Sequence, residues 1–193
     1  MSNEAEFSTA LTATGARIQA DFSREAELMI TRTAKMLLLA GLGLFYALVI
    51  FNNLTDPNSN LQFARHVLSM DTTFPGNNGM WRAMPSPAWH WAFYWSIVLW
   101  EMATAILLWW GFARLLSVIR RTPAEFNAAK RVPVMALTLS LLMWLVAFLS
   151  VGGEWFLMWQ SPKWNGEEAA FRNFVVVGVV LLLVLQPDTE EQP

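Results

Sequence analysis

The residues with chemistry to offer are few, and they sit in apolar surroundings. Within residues 87–116 Glu101 is the single carboxylate. About 20 residues suffice to cross a bilayer core, so Glu101 falls near the middle of a membrane span. A carboxylate at that depth is expensive and belongs against other helices rather than lipid. Helical spacing puts Tyr94 and Thr104 on its face, with Ile97, Val98, Ala105 and Leu108. Trp95, Leu99, Ile106, Trp109 and Trp110 fall on the opposite side. Tyr46, central in the preceding apolar run, either hydrogen-bonds to Glu101 or simply packs. Glu101 has two uses: a proton or cation site, or a carboxylic acid hydrogen-bonded between helices for specificity or partner contact. No cation is expected at its depth, since Arg114 lies about 20 Å further along the same helix.

A second polar group is expected near the outer surface. Glu154 closes one span and Arg172 opens the next after a short loop, so an ion pair between them is geometrically cheap. Asn52, Asn53 and Asn173 are candidate additional partners. The functional alternative is a polar mouth facing the loop. Glu101 and Glu154 differ in depth by about 10 Å, which argues against a paired-carboxylate or dimetal site. The only histidines, His66 and His90, lie in a loop and at a span edge, which favours interfacial roles over haem or metal ligation. Asp71, Thr72, Thr73, Asn77 and Asn78 carry oxygen donors but match no cation-binding loop, and read as a turn and capping cluster. Cysteine is absent, which removes disulfides, thiolate metal sites and cysteine nucleophiles. No phosphate-binding glycine loop, nucleophile elbow or zinc-ligand spacing occurs. No catalytic residue, cofactor or metal is therefore assigned, and an enzyme is not expected.

The elements that must position these groups follow from hydropathy. Of 193 residues, 55% are hydrophobic and 15% charged, below the roughly 25% charged residues of soluble domains. The chain has 11 Trp against 2 Tyr, a surplus suited to membrane–water interfaces. A net charge of −2 gives no support to nucleic-acid binding. Four spans are expected, at about 34–54, 88–112, 133–159 and 169–185, forming an all-α transmembrane bundle within residues 34–186. In the first, Ala40, Gly43 and Ala47 offer a small-residue side for close helix approach. Residues 55–87 form an outer loop too long for a plain connector. It opens with an Asp56-Pro57-Asn58 turn and holds a short helix from an Asn60 cap to Leu68. Its Met70, Phe74, Met80, Trp81 and Met84 are apolar enough to fold back as a cap on the bundle. Thr122-Pro123-x-Glu125 reads as a helix N-terminus. In the third span Ser140, Ala147, Ser150 and Glu154 share one α-helical face, and Gly152-Gly153 loosens the helix before the glutamate.

Residues 1–33 read as a separate amphipathic cytoplasmic helix. Leu11, Ile18 and Glu25 recur every seven residues beside Gly15, Phe22 and Met29, with Phe7 extending the stripe. The helix either lies on the membrane or folds under the bundle, or it docks a partner through Phe7, Leu11, Ile18, Phe22 and Met29. The leader is too acidic for a cleavable signal peptide. Residues 187–193 read as an acidic tail. Nine Lys and Arg flank spans one, two and three on one side, against four on the other, so the positive-inside rule puts both termini in the cytoplasm. Trp81, Trp89, Trp91, Trp155, Trp159 and Trp164 then form an outer belt.

Three strings are distinctive: FNNLTDPNSNLQFARHVLSMDTTFPGN (51–77), WRA (81–83) and GGEWFLMWQSPKWNGEEAAFR (152–172). With them the chain resembles, over about residues 35–185, a bacterial family of predicted small integral membrane proteins, domain-of-unknown-function family 2165. The resemblance implies four spans and a bacterial inner membrane, and it carries no activity, ligand or catalytic residue. The leader lies outside it. The expected function is a non-catalytic accessory or structural subunit on a larger membrane complex, in contact with the lipid bilayer. The alternative is a small oligomeric transporter or proton/ion pathway using Glu101.

Overall fold

The computed structural model describes residues 14–189 in full, and the helical backbone from Ser2. Helix α1 is Ser2–Thr55, a single run of 54 residues, about 81 Å at the α-helical rise. That is far longer than a bilayer core of about 30 Å. The leader is therefore not a separate helix: nothing in residues 30–36, ITRTAKM, breaks helical hydrogen bonding, so the first span continues out of the bundle. Phe7 and Leu11 lie outside the residues whose side chains are described.

The chain then forms α2 (Pro57–Ser69), α3 (Pro87–Ser117), α4 (Pro123–Ala129), α5 (Arg131–Leu142), a π-helix (Met143–Trp155) and α6 (Glu167–Leu185). Among the described residues there is no strand. Four helical stretches are long and apolar enough to cross a membrane: Thr14–Thr55, Pro87–Ser117, Pro123–Trp155 and Glu167–Leu185. α1 packs on α3, α3 on α5, α5 and the π-helix on α6, and α6 on α1, which closes a ring. In this all-α four-helix bundle the interior holds Glu101, Tyr46, Asn53, Thr104 and Ser140. Trp95, Leu99, Ile106, Trp109 and Trp110 face outward. A few polar groups held inside a mainly apolar core, behind an apolar outer surface, suit lipid as the solvent. Gly43 sits against the Trp109 ring, where a Cβ would approach to 3.0 Å, so this small residue does permit the α1–α3 contact.

The long loop folds back on the bundle. α2 starts earlier than the Asn60 cap would have it: Asp56 precedes Pro57, whose fixed φ suits the first helical turn. Val67, Leu68 and Met70 form a second small core with Phe156 and Met158. The Met84 amide donates to the Leu68 carbonyl (2.7 Å), and Arg82 lies over the Trp81 and Trp155 rings. Thr122 and Glu125 form a reciprocal capping box at α4.

The third span departs from the α-helical pattern. From Met143 it winds with i→i+5 bonds, as the Phe156 amide to the Val151 carbonyl (3.0 Å) and the Ser150 hydroxyl to the Leu145 carbonyl (2.9 Å) illustrate. The wider turn shifts the phase of every later side chain. Ser140 and Ala147 are buried as expected, but Ser150 and Glu154 rotate to the surface. Gly152 and Gly153 lie inside this winding and do not end it. A Cβ on Gly153 would stand 2.5 Å from the Glu167 carboxylate, so glycine is what lets α6 start so close.

Candidate functional site

Glu101 is 5% exposed and faces the bundle interior. The Asn53 amide donates to its Oε2 at 2.7 Å. Asn53 is itself a hub. Its Oδ1 accepts from Asn60 at 2.6 Å, and its backbone carbonyl accepts from the Tyr94 hydroxyl at 2.7 Å. Three elements thus deliver the cluster: the last turn of α1, the first turns of α2, and the inner face of α3.

The cluster opens on a cavity of about 200 Å³ between α1, α2, α3 and the π-helix. Asn53, Asn60, Tyr94 and Glu101 supply its polar lining, and Phe63, Phe93, Trp144 and Phe148 its aromatic walls. No buried side-chain nitrogen or oxygen among the described residues lacks a partner. The Glu101 Oε1 takes no hydrogen bond, so it keeps its access to the cavity it lines. No lysine, arginine or histidine lines the cavity.

Trp144 also closes the site on the side of the termini. Its Nε1 donates to the Tyr46 hydroxyl (3.0 Å), and Tyr46 and Ser140 share a 2.5 Å hydrogen bond. Beyond them Leu39, Leu108, Leu137 and Met143 are fully buried. The cavity is therefore floored by packed side chains. The π-helix supplies Trp144 and Phe148 to this wall of the cavity.

The expected intramembrane group is thus only partly assembled. Glu101 and Tyr94 meet through Asn53. Tyr46 turns to Ser140 and Trp144 instead of Glu101, because it lies two turns of α1 below Asn53. Thr104 satisfies its hydroxyl on its own helix, at the Trp100 carbonyl (2.9 Å).

The expected outer cluster does not form. Glu154 and Arg172 are both exposed and no ion pair joins them. The π-helical winding leaves Glu154 exposed, within electrostatic reach of Glu167 at the start of α6 but unpaired with Arg172, and its backbone carbonyl accepts from Arg82 Nη1 (3.3 Å). Asn52 is exposed at the end of α1, and Asn173 is half-buried on α6. Asn53 belongs to the Glu101 site. His66 stacks on Trp164 with ring centres 4.6 Å apart and pairs with Asp71 at 2.8 Å. His90 Nε2 donates to the Met84 carbonyl at 2.8 Å. Thr73 bonds to the Met70 carbonyl and Asn77 to Thr73, so these side chains hold the loop.

A third polar cluster had no forerunner in the expectations. At the end of the bundle that carries both termini, Asp188 is buried and holds three buried cations. Arg32 Nε donates to it at 2.6 Å, Lys35 Nζ at 3.1 Å and Lys130 Nζ at 3.5 Å. Lys35 and Lys130 each also donate to the Gln186 carbonyl (2.7 Å), and Asn127 brackets the Asp188 backbone. Asp188 is therefore part of the bundle and not of a solvated acidic tail. Gln186-Pro187 ends α6 and turns the chain back under α1 and α4.

Geometry apart, one comparison decides kinship. A model of predicted small integral membrane proteins (DUF2165) matches residues 31–187. The chain belongs to this family. No curated protein and no solved structure matches it. Members of the DUF2165 family are described as predicted small integral membrane proteins, which agrees with the four spans. The matched region holds both the Glu101 site and the Arg32, Lys35 and Lys130 cations. It leaves outside most of the part of α1 that runs beyond the bundle.

Proposed function

We propose that this DUF2165 protein is a non-catalytic membrane subunit that holds a small ligand in the Glu101 cavity. One observation carries the reading: a carboxylate buried in a membrane bundle keeps one oxygen free toward a cavity, and no cation among the described residues lines that cavity to neutralise it. Intramembrane ionisable residues of this kind mark functional sites by default. The floor formed by Trp144, Tyr46 and Ser140 favours a binding pocket over a pathway through one copy. A proton or ion path through Glu101 would need an oligomer. The excess of Lys and Arg on one side supports cytoplasmic termini, so the cavity lies in the outer half, and the family resemblance implies a bacterial inner membrane.

The native chain lacks cysteine, so single cysteines report access directly. An impermeant thiol reagent applied to intact cells should label Phe74→Cys in the exposed loop and Ile97→Cys in the cavity wall. Thr104→Cys, fully buried below the cavity, should stay silent. Labelling of Phe74→Cys without Ile97→Cys would mean that no solute reaches the carboxylate, and the reading would fall.

A second observation favours docking on a partner. Beyond the bundle α1 exposes Ile18 (51%), Phe22 (69%) and Ile30 (68%), with Met29 half-buried. A helix draws most of its stability from packing an apolar face, and Ile18 and Phe22 have none here to pack on. In mild detergent the protein should run as a stoichiometric complex with a larger membrane protein. Ile18→Glu with Phe22→Glu should release that partner and leave the bundle's thermal unfolding unchanged. A lone monomer in the wild type would refute this part.

A further inference from the structure

We propose that the ligand of the Glu101 cavity is a small organic cation, an alkylammonium group of headgroup size. The inference rests on the ligand-site reading above and names the class of ligand that site would take. It follows from which groups the cavity lacks as much as from those it has.

An anion is disfavoured at once, because the only charge in the lining is a carboxylate. A hard metal cation wants roughly six oxygen ligands. The cavity offers too few. Asn53 Oδ1 is taken by Asn60, the Asn53 carbonyl by Tyr94, and Glu101 Oε2 by Asn53. Oε1 is the one acidic oxygen left over. It shares the cavity with the Phe63, Phe93, Trp144 and Phe148 side chains. Three of these rings form a continuous surface: Phe63 stacks on Phe148 with centroids 6.3 Å apart, and Trp144 meets Phe148 at 4.9 Å. Ring faces attract cations within about 6 Å, most strongly when water is excluded, and quaternary ammonium groups are recognised in this way. A volume of about 200 Å³ keeps any occupant within that range of the walls. It is smaller than the roughly 300 Å³ at which drug-sized sites begin, so a headgroup fits and a multi-ring molecule does not. One free carboxylate oxygen in an aromatic-lined cavity therefore matches one delocalised positive charge carrying methyl or methylene groups.

The test compares choline with 3,3-dimethyl-1-butanol, which has the same shape and no charge. Both are titrated calorimetrically into the full chain purified in mild detergent. Choline should bind, and the neutral isostere should bind at least about tenfold more weakly, the ratio that a cation–π and carboxylate contribution of about 1.4 kcal/mol gives. Glu101→Gln should lose choline binding by a similar factor or more. Phe148→Leu keeps the carboxylate and its Asn53 bond, and should weaken choline several-fold while the isostere changes little. It keeps the test decisive if Glu101→Gln fails to fold. Equal binding of the two probes would overturn the cation assignment and leave the ligand site standing. Binding of neither, with Ile97→Cys reactive, would also overturn the cation assignment alone. Binding of neither, with Ile97→Cys silent, would remove both.

Discussion

Asp188→Asn should destabilise the bundle by about 3–5 kcal/mol, the typical result of removing one partner from a buried ion pair. The variant leaves Arg32, Lys35 and Lys130, all below 7% exposed, around a neutral amide. Arg32 retains the Ile119 and Arg121 carbonyls (2.7 and 2.8 Å) and its place over the Phe126 ring, so the loss falls mainly on the two lysines. The cluster ties α1 to α4 and to the end of α6, so its loss should free the C-terminal segment from the bundle. Thermal unfolding in detergent, followed by circular dichroism, measures the effect. A change below about 1 kcal/mol would show that the cluster is solvated.

The same cluster predicts a pH dependence. Burial by itself raises the Asp188 carboxyl, but hydrogen bonds from Arg32 and Lys35 and the charges of Lys35 and Lys130 outweigh it and hold its pKa below the ordinary 3.8. A group depressed on folding contributes its full stability above its unfolded pKa and loses it as the pH falls through the folded one. The wild type should therefore lose this part of its stability only below about pH 3.8, and Asp188→Asn should lack that acid step. Added salt should change little, since the charges are shielded from solvent.

Asn53→Leu is the second large expected effect, roughly 2–4 kcal/mol. Leucine keeps the bulk but removes the donor to Glu101 and the acceptor for Asn60. A carboxyl group in a low-dielectric interior that loses its only donor costs more than the lost bond is worth. Tyr94→Phe is the control. It removes one hydrogen bond to a carbonyl and should cost only about 1 kcal/mol. Tyr94 bonds to the Asn53 backbone carbonyl, which leucine keeps, so the two losses should add in the double variant. A clearly non-additive loss would show that the Asn53 side chain also holds Tyr94 in place.

Much of this architecture was legible in local pattern. The four spans, the capping box at Thr122, the inward face of α3 and the outward tryptophans all follow from hydropathy and the 3.6-residue period. These are properties of one helix in lipid, and one helix suffices to read them. Partner choice is different. Asn52 and Asn53 are adjacent and of the same type, yet one is exposed and the other holds Glu101, 48 positions away. Only the rotation of α1 against α3 distinguishes them. Glu154 and Arg172 flank one short loop, but the π-helical winding leaves Glu154 exposed with no ion pair to Arg172, and no α-helical period anticipates that. Asp188 reads as tail by composition and becomes the centre of a buried cluster because it meets Arg32, 156 positions earlier. The sequence by itself determined a membrane bundle with a carboxylate inside. The tertiary structure decided what that carboxylate touches, because hydrogen bonds act over about 3 Å while hydropathy sets position only to within a helical turn.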